Sequence, residues 1–306
     1  MGTELLQQGL NWITLGCIYT LIAVGFSLLF GVLKVIHFSH GDVALVAPFI
    51  ALATLQAMLG SLSGSSGGLI LFVACAIAVL AIGLLGVFLD WLVIGRFRDA
   101  PPMMALVATV ALGIVLRESV RHLFPNGSNP QPFPLLVETS VALPGVGTIP
   151  GFNILVITTS VTVIVLLFVL LQRTPAGIRI RAVSQDQQIA RLMAINPRRV
   201  FRSTFFIASA IGGVGGLFYS SYAGVARFDF GIQAGLIGFS AAVVGGLGSM
   251  PGAIVGSILI AGLDTFVQAV VPNGAAFRLV FAFALVIVVL VFKPSGLLGR
   301  TLVEKV

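Results

Sequence analysis

Apolar runs of about 20 residues recur along the whole chain, at positions 10–33, 43–59, 69–94, 103–124, 153–171, 204–223, 232–248, 253–271 and 277–292. A helix rises 1.5 Å per residue, so about 20 residues cross the ~30 Å hydrocarbon core of a bilayer. In hydrocarbon every backbone N–H and C=O must be satisfied within the protein, and helices do this segment by segment. Hydrophobic residues make up 58% of the 306 and charged residues only 9%, too few to cover a soluble surface of that size. The expected fold is all-α: a polytopic helical membrane protein with about eight or nine transmembrane segments. A single transmembrane domain, 1–306, is expected, with no soluble domain boundary.

The net charge of +7 sits mostly in the connections, so it speaks to topology and not to nucleic acid. With 172–202 placed in the cytoplasm, the inside receives thirteen of the 17 basic residues: Lys34, Arg96, Arg98, seven arginines of that loop, Lys293, Arg300 and Lys305. Only Arg117, Arg121, Arg227 and Arg278 fall outside. The expected topology therefore has the N-terminus outside and the C-terminus cytoplasmic. The first residues show no basic leader and no small-residue cleavage site, so the first span is expected to be retained. Cys17 and Cys75 lie in separate apolar runs and read as small buried residues.

Three stretches break the plain pattern. The first, 172–202, sets seven arginines against a single acid, Asp186. Ser184 or Asp186 can cap a short helix that presents Ile189, Leu192 and Met193 on one side and Arg191 on another, ending before Asn196-Pro197. Such an amphipathic helix between two spans is a docking surface. The second is VIHFSHGD (35–42), polar groups between two spans with almost no room for a loop. Its His37, Ser39, His40, Gly41 and Asp42 are candidates for lining a route through the membrane, with Asp42 alternatively capping a helix that begins at Val43. The third is AAVVGGLGSMPGAIVGSILIAG (241–262), where Gly248, Gly252 and Gly256 recur every fourth residue around Pro251. Ala208, Gly212, Gly216 and Ser220 repeat that spacing in the sixth run. Glycine and proline at membrane depth point to broken or re-entrant helices, so Gly245, Gly246 and Gly248 join the pathway candidates. The two broken stretches fall in opposite halves, as an internal duplication would place them.

Several chemistries are excluded. No G-x-x-x-x-G-K-[ST] occurs, and Gly246-x-Gly248 lacks the third glycine of a dinucleotide site. His37, His40 and Asp42 lack further metal-ligand candidates. Asp264 reads as a carboxylate near the outer interface with Thr265 and Gln268 beside it; Arg117, Glu118 and Arg121 read as one interface ion network.

The run GFSLLFGVLKVIHFSHGDVALVAPF resembles the opening signature of branched-chain amino acid ABC transporter permeases of the LivH type. IRIRAVSQDQQIARLMAINPRRVFRSTFFIASAIGGVGGL is similar to that family's coupling segment, GFSAAVVGGLGSMPGAIVGSILIAG to its glycine-rich late span, and FKPSGLLGRTLVEKV to its tail. Two departures stand out: glycine is common in the family where this chain has Ala194, and asparagine is usual where it has His37. The resemblance implies a subunit of a binding-protein-dependent importer in the bacterial inner membrane, forming half of a translocation pathway for branched-chain or other neutral amino acids. It also implies Asp186, Gln187, Ile189, Ala190, Arg191, Leu192, Met193, Ala194 and Ile195 as the ATPase-coupling residues. The implied partners are a second permease of the LivM type, two ATPases of the LivG/LivF type and a periplasmic amino-acid-binding protein. No cofactor is expected on this chain, ATP being used by the partner subunits. A secondary transporter would share the broken helices but needs midplane carboxylates, of which only Asp42 and Asp264 are available, and has no use for a docking helix; a passive channel for small polar solutes would share the same body.

Overall fold

The structure is a computed structural model and describes residues 2–61, 67–97, 100–143 and 147–299. Eight of its helices are long and apolar enough to cross a membrane. In chain order these are α1 (Gly2–Leu33), α2 (His40–Ser61), α3 (Gly67–Leu92), α4 (Pro102–Leu123), α5 (Gly151–Arg173), α8 (Pro197–Ala223), α10 (Met250–Val270) and, with a 3₁₀ turn before it, α11 (Arg278–Phe292). Two short helices, α6 (Pro175–Gln185) and α7 (Gln187–Leu192), lie between α5 and α8. The seventh apolar run forms α9 (Phe230–Gly245), whose 16 residues span only about 24 Å, short of a full crossing.

The core is built around α1, which packs along α10, α8 and α9 and supplies Ile18, Tyr19, Leu21, Ile22 and Ala23, all inaccessible. The helix is apolar on every side, as expected of one surrounded by other helices. α4, α5 and α11 are peripheral and expose apolar side chains such as Val107, Phe168 and Ile287, the composition of a lipid-facing surface. α2 and α3 pack on each other and on α8.

The four-residue glycine spacing does the work expected of it. Gly252 and Gly256 of α10 lie against the backbone of α9 at Gly245 and Ala241, and Gly216 of α8 against the carbonyl of Ala44 in α2. In each case a Cβ would collide with backbone, so glycine is what allows these helices to approach. Gly248 differs: it packs on Gly31 of α1, not on α9.

One end of the bundle, here the arginine end, carries α6, α7 and the segment after α11. At the other, strands β2 (Ser140–Leu143) and β3 (Gly147–Pro150) form an antiparallel hairpin. There the two-residue strands β1 (Gln131–Pro132) and β4 (Val225–Ala226) also pair, tying the connection after α4 to the end of α8. Ser221 reinforces the tie, its Oγ donating to Pro134 O and accepting from Leu136 N. The long 125–151 connection is thus ordered, as its Pro- and Gly-rich composition suggests, through strands the composition does not reveal. Arg98 and Arg300, Lys305 and most of the 61–68 turn lie outside the described residues.

Candidate functional site

The VIHFSHGD corner is a break in the membrane path of the chain. α1 ends at Leu33, Lys34 adopts a left-handed backbone (φ 59°), and the chain turns back toward the bundle interior. α2 then begins at His40, earlier than Val43. Asp42 is therefore inside the first turn and not a cap, though its charge there still complements the helix N-terminus.

Burial at the corner is extreme for polar side chains: Ser39 and His40 are inaccessible and His37 nearly so. The His40 ring lies edge-on to Phe26, 4.8 Å between centroids, in a notch where a Cβ on Gly25 of α1 or Gly212 of α8 would overlap it. His37 Nε2 lies 3.2 Å from Ser39 Oγ, and its ring is edge-on to Phe205. Neither nitrogen of His40 has a hydrogen-bond partner among the described residues. Within this chain His40 fills a helix–helix crossing. Gly41 meets the α9 backbone at Gly231 and Gly235, with no space for a Cβ. A leucine there would push α2 off α9, a packing failure rather than a blocked route.

Asp42 points the other way, toward α4. Its carboxylate is 3.5 Å from Arg117 Nε and is flanked by Gly113 of α4 and Gly231 of α9. Arg117 thus leaves the surface network in which the sequence placed it; Glu118 pairs instead with Arg121 and His122 at 3.4 and 3.3 Å. The signal that could have found this pair is a basic residue two turns inside an apolar run, where an ionisable group needs a partner.

The glycine-rich candidates sit elsewhere. Gly246 (φ 109°) ends α9 and touches Gly296 and Gly299, while Leu297 and Leu298 donate their N–H groups to Val244 O and Gly245 O, each at 2.8 Å. These bonds close the carbonyls that the end of α9 leaves open. Ser27 Oγ accepts from Gly248 N and donates to Ser249 O, stitching the turn to α1. Gly231 and Gly245 are 14 residues apart on α9, about 21 Å. His40–Asp42 therefore borders one end of α9 and Gly245–Gly248 the other; the two groups do not meet.

At the arginine end, Asp186 is the cap of α7, its Oδ1 accepting from Gln188 N (2.7 Å) and Ile189 N (3.0 Å). The preceding helix α6 was not expected; Thr174 caps it through Gly177 N, with Pro175 at its first position. Arg181 reaches back to donate to Leu171 O. Ile180, Val183, Ala190, Val200 and Phe201 form a small core beneath both helices, with Val32 of α1 in it. Ala190 thus faces inward and is not part of the exposed face. Ile189, Leu192 (86% exposed) and Met193 project outward, with Arg191 also exposed. α7 stops because Ala194 turns left-handed (φ 59°), and Ile195 N bonds Ala190 O at 3.0 Å. That is a closure glycine makes without strain, and alanine is the smallest residue that can make it in glycine's place.

The branched-chain amino acid transport system / permease component family matches residues 9–290. The chain belongs to this family. It is 31% identical over 98% of its length to BraD, the high-affinity branched-chain amino acid transport system permease protein of Pseudomonas aeruginosa, covering 98% of that protein. It is 29% identical to the corresponding LivH protein of Escherichia coli, over 98% of this chain and 97% of that one. Both similarities run nearly the full length of the chain, so the 35–42 corner, the 172–202 segment and the glycine turn all lie inside the matched region.

Proposed function

We propose that the chain is one of two permease subunits of an ATP-driven importer in a bacterial inner membrane, carrying branched-chain or other neutral amino acids. Its partners in this reading are a LivM-type permease, LivG/LivF-type ATPases that use the ATP, and a periplasmic amino-acid-binding protein. The arginine end faces the cytoplasm, the hairpin end faces the binding protein, and the N-terminus lies outside. The observation that carries the reading is α7. Three large apolar side chains on and just after a capped, six-residue helix stand exposed at the arginine end, supported from below by a small core, and none of the described residues covers them. Water-exposed apolar residues held this rigidly mark a contact with another protein.

The test is reconstitution of all subunits in liposomes. Uptake that requires ATP and binding protein is the expected result. Uptake driven by an ion gradient alone would establish a secondary transporter, and downhill flux without either a channel. Within the complex, burying a leucine-sized side chain is worth roughly 1.5–3 kcal/mol, an exposed ion pair about 0–1 kcal/mol. Leu192→Asp should therefore release the ATPases on purification and stop uptake, with Arg191→Ala much milder. If Leu192→Asp keeps its ATPases and its transport, α7 is not the coupling helix.

A further inference from the structure

We propose that Asp42 and Arg117 form a transit site for the zwitterionic head of the transported amino acid, resting on the importer reading above. Four observations converge. First, both groups line one narrow cleft between α2 and α4, walled by Leu45, Phe49, Leu116 and Phe228. Its free volume of about 10 Å³ is that of one water molecule, so this is a closed conformation, and an amino acid enters as α4 moves off α2. Second, the cavity holds one carboxylate and one guanidinium on an otherwise apolar lining, the complement of an α-ammonium, an α-carboxylate and an aliphatic side chain.

Third, the pair is incompletely satisfied. Asp42 is 8% exposed, yet its Oδ1 accepts no hydrogen bond, and Arg117 Nε stands off at 3.5 Å. Arg117 makes no hydrogen bond among the described residues, so its donor fork is free to take a carboxylate. A purely structural buried pair would close to full hydrogen bonding, because each unmet lone pair costs desolvation energy. Fourth, space has been cleared for the carboxylate. Gly113 and Gly231 flank its two oxygens, and a Cβ on either would overlap them.

Arg117 lies in the half of α4 nearer the hairpin end, and the cleft reaches Phe49, which packs on Phe124 at the end of that helix. That is the side from which a binding protein would release its cargo. Inserting an amino acid between Asp42 and Arg117 exchanges one ion pair for two, so each charge stays paired throughout. The affinity gained is small, as transit requires. The guanidinium fork, being planar and bidentate, is the specific element; an ammonium at that position keeps the charge and loses the geometry.

The experiment is the thermal stability of the purified permease–ATPase complex, without binding protein, titrated with ligand to tens of millimolar, where even weak binding to the folded state raises the melting temperature. L-Leucine should give a saturable upward shift. 3-Methylbutylamine, lacking the carboxylate, and 4-methylpentanoate, lacking the ammonium, should not. Arg117→Lys should need at least tenfold more leucine for the same shift, and Asp42→Asn should lose it. Should Asp42→Asn fail to assemble, Arg117→Lys decides alone. No shift in the wild type, equal shifts with the one-charge analogues, or an unchanged titration in Arg117→Lys overturns the site. Wild-type uptake in liposomes is measured in parallel. A complex that imports leucine but shows no shift refutes this site only, whereas one that imports nothing refutes the importer reading itself.

Discussion

His40 is inaccessible because two residues without side chains, Gly25 and Gly212, leave a notch of its size. Adding a methyl group to such a crossing forces either the ring or the helix to move, at about 1–3 kcal/mol. Gly25→Ala should therefore lower the melting temperature of the detergent-solubilised protein. Combining it with His40→Ala should recover part of the loss, because the two sites share one space and do not add. Additive losses in the double variant would show that the ring is not what Gly25 accommodates. Ala194 makes a similar point through the backbone. A left-handed conformation is tolerable for alanine but prohibitive for a β-branched residue. Ala194→Val should unwind the last turn of α7 and speed hydrogen exchange at Ile195, while Ala194→Gly should leave that amide as protected or more so. Equal exchange in all three would mean that the turn does not hold α7.

Between elements, a buried polar tie sits at the hairpin end of α10. Asp264 is buried and accepts from Tyr19 Oη of α1 (2.7 Å), Gln268 Nε2 of its own helix (2.7 Å) and Arg278 Nε of α11 (3.0 Å). What the sequence suggests is an interfacial carboxylate; what the fold makes is a knot joining three helices. Breaking one partner leaves a buried charge uncompensated, at about 3–5 kcal/mol. Arg278→Leu should destabilise the protein by that order in thermal unfolding, and Arg278→Leu with Asp264→Asn by clearly less. If the double variant is as unstable as the single, the penalty comes from lost packing and not from the stranded carboxylate. Only Ala282 of α11 is fully buried, with Leu279, Leu285, Val286 and Val289 half-buried against the core, so this knot adds a polar anchor to a shallow apolar seat.

For the whole molecule, the distribution of basic residues makes a directional claim. Ser184 of α6 and Ser128 of the 125–151 connection lie at opposite ends of the bundle. With Cys17 and Cys75 replaced, Ser184→Cys should react with an impermeant thiol reagent only after the cytoplasmic face is opened, and Ser128→Cys from outside. Labelling of both from one face would end the topology.

Class, family and the number of spans to within one were legible without coordinates, because each depends on local composition; that the seventh run makes only the short α9 was not. An apolar run of sufficient length must be a helix in lipid, a capped Ser/Asp-containing stretch before an apolar face must be a short helix, and the family signatures are contiguous words. Glycine spacing likewise announced close helix contacts, though not which helix each glycine meets. What only the tertiary structure decided is every relation between words far apart in the chain. Arg117 left its sequence neighbours for Asp42, 75 residues away, because a charge in hydrocarbon is more costly than any break in local pattern. Gly245 and Gly248 parted from His40–Asp42 because α9 separates them by its own length. His40, polar enough by sequence to line a route, was enclosed because Gly25 and Gly212 happen to face it across two other helices. Local energies select the helices; desolvation and the fit of side chain to notch select which of them touch.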